Sequence, residues 1–168
     1  KLVTFIGMKK ISKIDVFICQ NGFGHAKRQF QIFENLTNKL ENINITFHIN
    51  YNHYISFKPF IKEWVPSLNI NRISFEYESM YLSPDYSNHS NYNFSKYLKW
   101  LKEIKSLKLK SNLIISDNLL GIVDIYPKTI LIGSFLWSQI TKFKIKSFKK
   151  ISDYENQILK KKPIMIGI

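Results

Sequence analysis

The stretch that decides the fold is Ile14–His25, which reads IDVFICQNGFGH. The run Ile14–Cys19 is apolar or β-branched apart from one aspartate, and a short run of this kind that stops at a turn is typical of a buried strand. Gly22 and Gly24 then permit a tight turn, because glycine adopts positive φ and lets another group approach the backbone. We therefore predict a strand, a glycine-rich turn and the start of a helix.

The rest of the chain repeats this alternation of strands and helices. After the turn, apolar residues recur at helical spacing up to Leu40, which predicts an amphipathic helix from about His25. Further strands are predicted at 43–49, 70–75, 113–115, 129–133 and 163–168, and further helices at 58–65, 94–107, 119–125 and from Ser152 or Asp153 to 160. The polar stretch 76–93 predicts a long loop, and 135–148 a mixture of helix and loop. The pattern predicts an α/β fold, a Rossmann-like three-layer α/β/α domain with a mostly parallel sheet.

The composition limits the class of protein. The chain has 168 residues, of which 45% are hydrophobic, enough for one domain with its own core. Cys19 is the single cysteine, which excludes a disulfide framework within the chain. His48, His53 and His89 are scattered without metal-ligand spacing, so no metal site is predicted. No apolar run reaches the roughly 18 residues that would predict a transmembrane helix.

The net charge of +13 has two readings. Only Arg28 and Arg72 are arginines among the 25 basic residues, and an AT-rich genome would encode a chain rich in Lys, Asn and Ile. We therefore predict no nucleic-acid partner. The lysines are concentrated after Lys96, so peripheral contact with an anionic membrane surface stays open beside a simply solvated lysine surface.

Both ends of the sequence are unusual. The chain begins at Lys1 and its first methionine is Met8, so we expect residues 1–7 to be a non-native leader. The last stretch, Ile164–Ile168, is apolar with no polar tail. We expect the natural protein to continue beyond it.

The glycine turn offers a place for a ligand. His25 and Arg28 are three residues apart and therefore share one helix face, at a helix N-terminus that favours anions. The turn does not match a Walker loop, because no Gly-Lys-Ser/Thr is present. It matches a dinucleotide fingerprint poorly, since Lys27 stands where a small residue is wanted. A glycine turn that only packs the helix on the strand is the alternative.

At Gly22–Arg28, the sequence GFGHAKR resembles the Gly-x-Gly-His-x-x-Arg turn in the N-terminal domain of GT-B-type nucleotide-sugar enzymes. These include MurG-like N-acetylglucosaminyltransferases, the UDP-sugar hydrolase of pseudaminic acid synthesis and the glycosyltransferase-like part of arabinose kinases. A second stretch, Leu113–Asn118 followed by 128–132 and Ser134–Trp137, is similar to a strand–Ser-Asp–helix–strand–Asn/Ser-Phe-x-Trp run in the same proteins. The resemblance covers about 14–140.

The resemblance implies a two-domain enzyme whose N-terminal domain holds the acceptor and whose C-terminal domain binds the nucleotide-sugar donor. Residues 1–168 would form the single N-terminal domain, one half of a GT-B fold, with the donor domain absent or supplied by a partner subunit. The implied activity is sugar transfer to a glycan or lipid-linked acceptor of the cell envelope or surface, without a cofactor, in the cytoplasm or at the inner face of the membrane. Two alternatives stay open: a nucleotide-sugar hydrolase of the pseudaminic-acid type, and a non-catalytic fragment that binds a partner or a membrane.

Two residues are candidates for catalysis. His25 would be the general base that deprotonates an acceptor hydroxyl or a water, since the ordinary pKa of imidazole lies near neutral pH. Its alternatives are capping the helix or binding phosphate. Asp117, at the end of the fourth strand, would orient His25 or bind a sugar hydroxyl. Its alternative is capping the helix that follows.

Six residues are candidates for binding substrate: Gly22, Phe23, Gly24, Arg28, Asn118 and Trp137. Arg28 would hold a phosphate or carboxylate of the acceptor, with a surface ion pair as its alternative. Asn118 presents the same choice as Asp117 in weaker form. Trp137 would stack on a sugar face or fill the core.

Overall fold

A computed structural model describes residues 11–40, 42–77, 94–133, 136 and 148–167. The strands are β1 Lys13–Ile18, β2 Asn44–Ile49, β3 Ile73–Tyr77, β4 Leu113–Asp117, β5 Ile130–Gly133 and β6 Ile164–Gly167. The helices are α1 Phe23–Lys39, α2 Tyr51–Phe57, α3 Ile61–Trp64, α4 Phe94–Ser106, α5 Gly121–Ile125 and α6 Phe148–Leu159, with 3-10 turns at Lys58–Phe60 and Ile70–Arg72. In these ranges, no helix combines the length and the apolar character needed to cross a membrane.

The strands form one sheet in the order β3-β2-β1-β4-β5-β6, and every neighbouring pair is parallel. The chain builds the sheet outward from β1 in one direction and from β4 in the other. The strand order therefore reverses between β1 and β4, where Ile18 lies opposite Asp117. In open α/β sheets, ligands bind at the carboxyl ends of the strands at such a reversal. The predicted α/β, Rossmann-like architecture is confirmed.

The central strand β1 is buried on both faces, as a sheet covered by helices requires. Val16 and Ile18 pack towards α1, in a cluster that includes Phe30 and Phe47. Phe17 packs on the opposite face in a second cluster, with residues of α4 and α5. Phe30 and Phe47 meet edge to face, with ring centroids 4.8 Å apart, which fixes α1 against β2.

A buried polar pair joins β1 to β2 on the α4 side of the sheet. His48 Nε2 and Asp15 Oδ1 are 2.9 Å apart, and both side chains are 2% exposed. The imidazole also stacks on Phe17, with centroids 4.3 Å apart. Burial raises the pKa of Asp15, but the contacts with His48, Ser111 and Lys13 outweigh it, so the pKa lies below its ordinary value of 3.8.

Three elements differ from the sequence prediction. Helix α2 was not predicted, because its sequence YNHYISF lacks a helical apolar pattern; Asn50 starts it by accepting the backbone N–H of His53 at 3.2 Å. The strand expected from Ile70 begins at Ile73, after a 3-10 turn. Helix α6 begins at Phe148, before the expected cap at Ser152 or Asp153, because Ile151 packs inward. Residues 1–7, 78–93 and most of 135–148 lie outside the described residues.

Candidate functional site

The glycine turn and the end of β4 meet at the carboxyl edge of the sheet. Gly22 has φ 87°, a left-handed conformation that favours glycine, and its N–H donates to the Gln20 carbonyl at 3.1 Å. Helix α1 begins at the next residue without a side-chain cap. Because Asp117 is the last residue of β4 and pairs with Ile18, its carboxylate lies beside the first turn of α1.

Three side chains of one face of α1 hold this carboxylate. His25 Nδ1 lies 2.6 Å from Asp117 Oδ1, and Arg28 Nη2 donates to the same oxygen at 2.6 Å. Gln29 Nε2 donates to the other oxygen, Oδ2, at 2.6 Å. Asp117 is fully buried. A buried carboxylate is costly unless it is paired and hydrogen-bonded, and here both of its oxygens are satisfied.

The contacts determine which nitrogen of His25 carries the proton. Arg28 Nη2 also lies 3.1 Å from His25 Nδ1, but Nδ1 cannot donate to Asp117 and accept from a guanidinium at once. The 2.6 Å contact with the carboxylate, which can only accept, assigns the proton to Nδ1. In the neutral imidazole, Nε2 then carries the lone pair, so it is the atom able to accept a proton from a ligand.

The predicted residues His25, Arg28 and Asp117 are thus brought together. Asp117 does not cap the following helix, because its oxygens face α1 and α5 begins without a side-chain cap. Arg28 has the carboxylate of the chain itself as its partner, and its side chain is 24% exposed. The described residues leave the space in front of Gly22 and Gly24 open, since, apart from the adjacent residues and the backbone of α1, none has an atom within 4 Å of a β-carbon placed at either position.

The remaining predicted residues are placed differently. Asn118 is 3% exposed, has φ 54° and donates its backbone N–H to the Ile132 carbonyl at 2.9 Å. Its side chain lies against Gly133, the last residue of β5. Phe23 is exposed beside the turn. Trp137 lies outside the described residues.

Two residues near this site were not predicted from the sequence. Gln29 has no charge and no motif, so nothing in the pattern distinguished it from an ordinary polar helix position. His53 follows β2 at the same sheet edge, and its ring lies 6.1 Å from that of Phe23. Burial lowers the pKa of His53; the nearby Gly22 carbonyl opposes this shift, and His25 reinforces it. The position of His53 shortly after a predicted strand was the sequence feature that could have identified it.

An aromatic surface flanks the turn. The ring centroid of Phe23 lies 6.0 Å from that of Phe60 and 6.1 Å from that of Trp64. Phe23 and Phe60 are 42% and 41% exposed. The surface beside the start of α1 is therefore apolar and partly open to solvent, and an apolar or ring-shaped part of a ligand can pack on it.

Within the described ranges, no group of three or more His, Cys, Asp or Glu side chains could hold a metal ion. A cavity of about 370 Å³ opens at the opposite, amino-terminal edge of the sheet, lined by Leu109, Ser111, Asn112, Ile114, Tyr126, Pro127 and Lys128. His25, Arg28 and Gln29, which hold Asp117, are not among its lining residues.

At the level of sequence, the chain matches no protein-family model and no curated protein. Its fold is similar to that of UGT73P12 of Glycyrrhiza uralensis, solved with glycyrrhetinic acid 3-O-monoglucuronide, with 12% identity over 79% of this chain and a TM-score of 0.51. It is also similar to the glycotransferase of kitacinnamycin, with 10% identity over 89% of this chain and a TM-score of 0.52. The chain has a glycosyltransferase-like fold. Both solved structures are of the GT-B type, and the chain spans 30% and 36% of their lengths.

Proposed function

We propose that this chain is the acceptor-side domain of a GT-B-type glycosyltransferase and that His25 is its general base. The observation that carries the proposal is the 2.6 Å contact between His25 Nδ1 and the buried Asp117 carboxylate. It leaves Nε2 as the proton-accepting atom, at the sheet edge where α/β folds bind ligands. The resemblance of Gly22–Arg28 to the turn of nucleotide-sugar enzymes and the glycosyltransferase-like fold support the same reaction class.

In the proposed reaction, proton transfer to His25 accompanies transfer of the sugar to the acceptor. An acceptor hydroxyl donates its proton to Nε2 of His25 as its oxygen attacks the anomeric carbon of the donor sugar. The bond from that carbon to the nucleoside diphosphate breaks, and the diphosphate leaves with the bonding electrons. Asp117 stabilises the imidazolium that forms and keeps its own charge. General-base catalysis of this kind contributes about 10²- to 10⁴-fold to the rate. A single displacement inverts the anomeric centre.

In this proposal, the donor and the acceptor would bind to different domains. The nucleotide-sugar would be bound by a second domain, supplied by the rest of a longer chain or by a partner subunit. The acceptor would be a glycan or a lipid-linked saccharide of the cell envelope, placed against the turn at Gly22–Gly24. Sugar transfer would then take place in the cytoplasm, at the inner face of the membrane where the acceptor is lipid-linked.

Turnover of a UDP-sugar tests the proposal. The chain would be assayed alone and mixed with any protein encoded beside it, with His25→Ala as the test variant and Gln31→Ala, at an exposed position of the same helix, as the control. We expect transfer by the wild type and the control, and a loss of at least about 100-fold in His25→Ala, the low end of what a general base supplies. Equal inactivity of wild type and His25→Ala in every mixture would refute the catalytic role.

Hydrolysis of the nucleotide-sugar is the second candidate, because Nε2 of His25 would accept a proton from water as well as from a sugar hydroxyl. The described residues leave open the space in front of Gly22 and Gly24, where water would enter. The two activities differ in their need for an acceptor. Release of free sugar that is unchanged when acceptor is added indicates a hydrolase, whereas a glycosylated product that depends on acceptor indicates a transferase.

A further inference from the structure

The side chain of Gln29 is unusual for its place on α1. It is fully buried, next to the core residues Ala26, Phe30 and Phe33 of the same helix. An amide at such a position loses its hydration, and an apolar residue of similar size would pack there without that cost. Its Oε1 atom is buried and has no hydrogen-bond partner in the described part of the chain. The donor end is therefore the part of the amide that the structure uses.

That donor end meets the one oxygen of Asp117 that His25 and Arg28 do not contact. Gln29 Nε2 lies 2.6 Å from Oδ2, while both other side chains lie at Oδ1. Because a carboxylate only accepts, the amide must present its NH₂ group here, which fixes its orientation. A carboxylate held at one oxygen can rotate about its Cβ–Cγ bond. Holding the second oxygen prevents that rotation.

We infer that Gln29 is a positioning residue of the site, which keeps the Asp117 carboxylate turned so that Oδ1 faces His25. Only the expected effect of Gln29 on kcat rests on the proposed function. Its structural consequence is independent of any turnover: the hydrogen bond from His25 Nδ1 to Oδ1 depends on an amide that donates to the other oxygen, Oδ2. Gln29 acts through Asp117 and contacts no substrate.

Two variants separate this role from simple packing. Gln29→Met keeps the length and apolar body of the side chain and removes the donor. Gln29→Glu keeps the shape but can donate to Oδ2 only when a proton is shared between the two carboxyl groups, so its effect must depend on pH. Gln31→Met, at an exposed position of the same helix, is the matched control.

The primary measurement is the ¹H NMR signal of the proton on His25 Nδ1, recorded on this chain. We expect a downfield, exchange-protected signal in the wild type and in Gln31→Met. The signal should move upfield and lose protection in Gln29→Met. In Gln29→Glu it should be lost at high pH and return as the pH is lowered. Where turnover is found, kcat should fall about 10-fold in Gln29→Met, a part of the 10²- to 10⁴-fold that a general base supplies, with KM unchanged.

The failures of the two proposals are distinguishable. If the wild type and His25→Ala are both inert, the proposed function fails, and the Nδ1 proton signal still decides the role of Gln29. An Nδ1 signal in Gln29→Met identical to that of Gln31→Met, or a Gln29→Glu signal that follows the wild-type pH dependence, would overturn the inference. Circular dichroism checks folding; if neither Gln29 variant folds, the amide serves the core and the inference is also overturned.

Discussion

The side chain of Asn118 occupies the space beside Gly133 that a β-carbon would need. Asn118 itself stands at φ 54°, a conformation that asparagine tolerates better than most residues, and its backbone N–H is bound to the Ile132 carbonyl. The contact between the ends of β4 and β5 therefore depends on a glycine that ends β5 and an asparagine that directly follows β4.

We expect Gly133→Ala to destabilise the fold by about 1–3 kcal/mol, because the added methyl group collides with the buried Asn118 side chain. Gly24→Ala is the matched control. Its position in α1 has open space and no positive φ, so the free energy of unfolding should rise by about 0.5–1 kcal/mol through the better helix propensity of alanine. Urea unfolding followed by circular dichroism measures both; equal effects of the two substitutions would contradict the account of this contact.

The buried pair Asp15–His48 predicts a pH-dependent contribution to stability. The folded-state pKa of Asp15 is below its ordinary value of 3.8, so the unfolded state binds a proton more readily than the folded state. The stabilisation is therefore complete above pH about 4 and is lost as the pH falls through 3.8 towards the folded-state pKa. Asp15→Asn should lower the free energy of unfolding at pH 7, and its deficit relative to the wild type should shrink below pH 4.

Removing the other partner of this pair tests the same contact from the opposite side. His48→Ala leaves the Asp15 carboxylate buried without the donor that meets its Oδ1, which should cost about 3–5 kcal/mol. The substitution also removes the stacking of the imidazole on Phe17. A double-mutant cycle with Asp15→Asn measures the coupling. Additive effects would show that the two side chains contribute independently, against the 2.9 Å contact.

The exposed ring of Phe23 predicts a binding effect without a stability effect. Because Phe23 is 42% exposed, Phe23→Ala should change the free energy of unfolding by less than about 1 kcal/mol. If an acceptor packs on this aromatic surface, its KM should rise while kcat is kept, since the contact is the same in the ground and transition states. Leu107→Ala, at a residue 45% exposed and distant from the turn, is the control. A fall in kcat at unchanged KM would argue against a packing role.

The sequence was sufficient to predict that His25 and Asp117 lie at one edge of the sheet. It did not predict that Gln29 holds the Asp117 carboxylate there, or that helix α2 forms. The glycine turn and Ser116–Asp117 each end a predicted strand, and parallel strands bring their carboxyl ends to one edge, so the meeting of His25 with Asp117 follows from topology. Gln29 did not follow, because a neutral amide on a helix has the same pattern whether it faces solvent or a buried carboxylate. Helix α2 depends on the Asn50 cap rather than on apolar periodicity, so the pattern of apolar residues could not show it.

The lysines of α4 predict a salt-sensitive affinity for anionic membranes. Lys99, Lys102 and Lys105 are exposed on this helix, and each lysine near an anionic surface contributes about 1 kcal/mol. We expect the chain to bind vesicles that contain phosphatidylserine at low salt and to release them at high salt. Charge reversal of these three lysines to glutamate should abolish binding, whereas His25→Ala should not change it. Absence of binding at low salt would leave the lysines as a solvated surface.

Substitution of Asp117 by asparagine separates the charge of this side chain from its orientation. In Asp117→Asn, the amide oxygen can still accept from His25 Nδ1 if the new NH₂ group faces Gln29. Gln29 can accommodate this by turning its Oε1, which has no partner in the described part of the chain, towards that group. We therefore expect the proton to stay on Nδ1, while the charge that stabilises the imidazolium is lost and kcat falls about 10²- to 10⁴-fold.

Imidazole ¹⁵N shifts report the tautomer of His25 in Asp117→Asn, and steady-state kinetics report kcat. A variant with the proton moved to Nε2 would show that orientation, and not charge alone, was lost. Turnover within threefold of the wild type would show that Asp117 has no part in the chemistry.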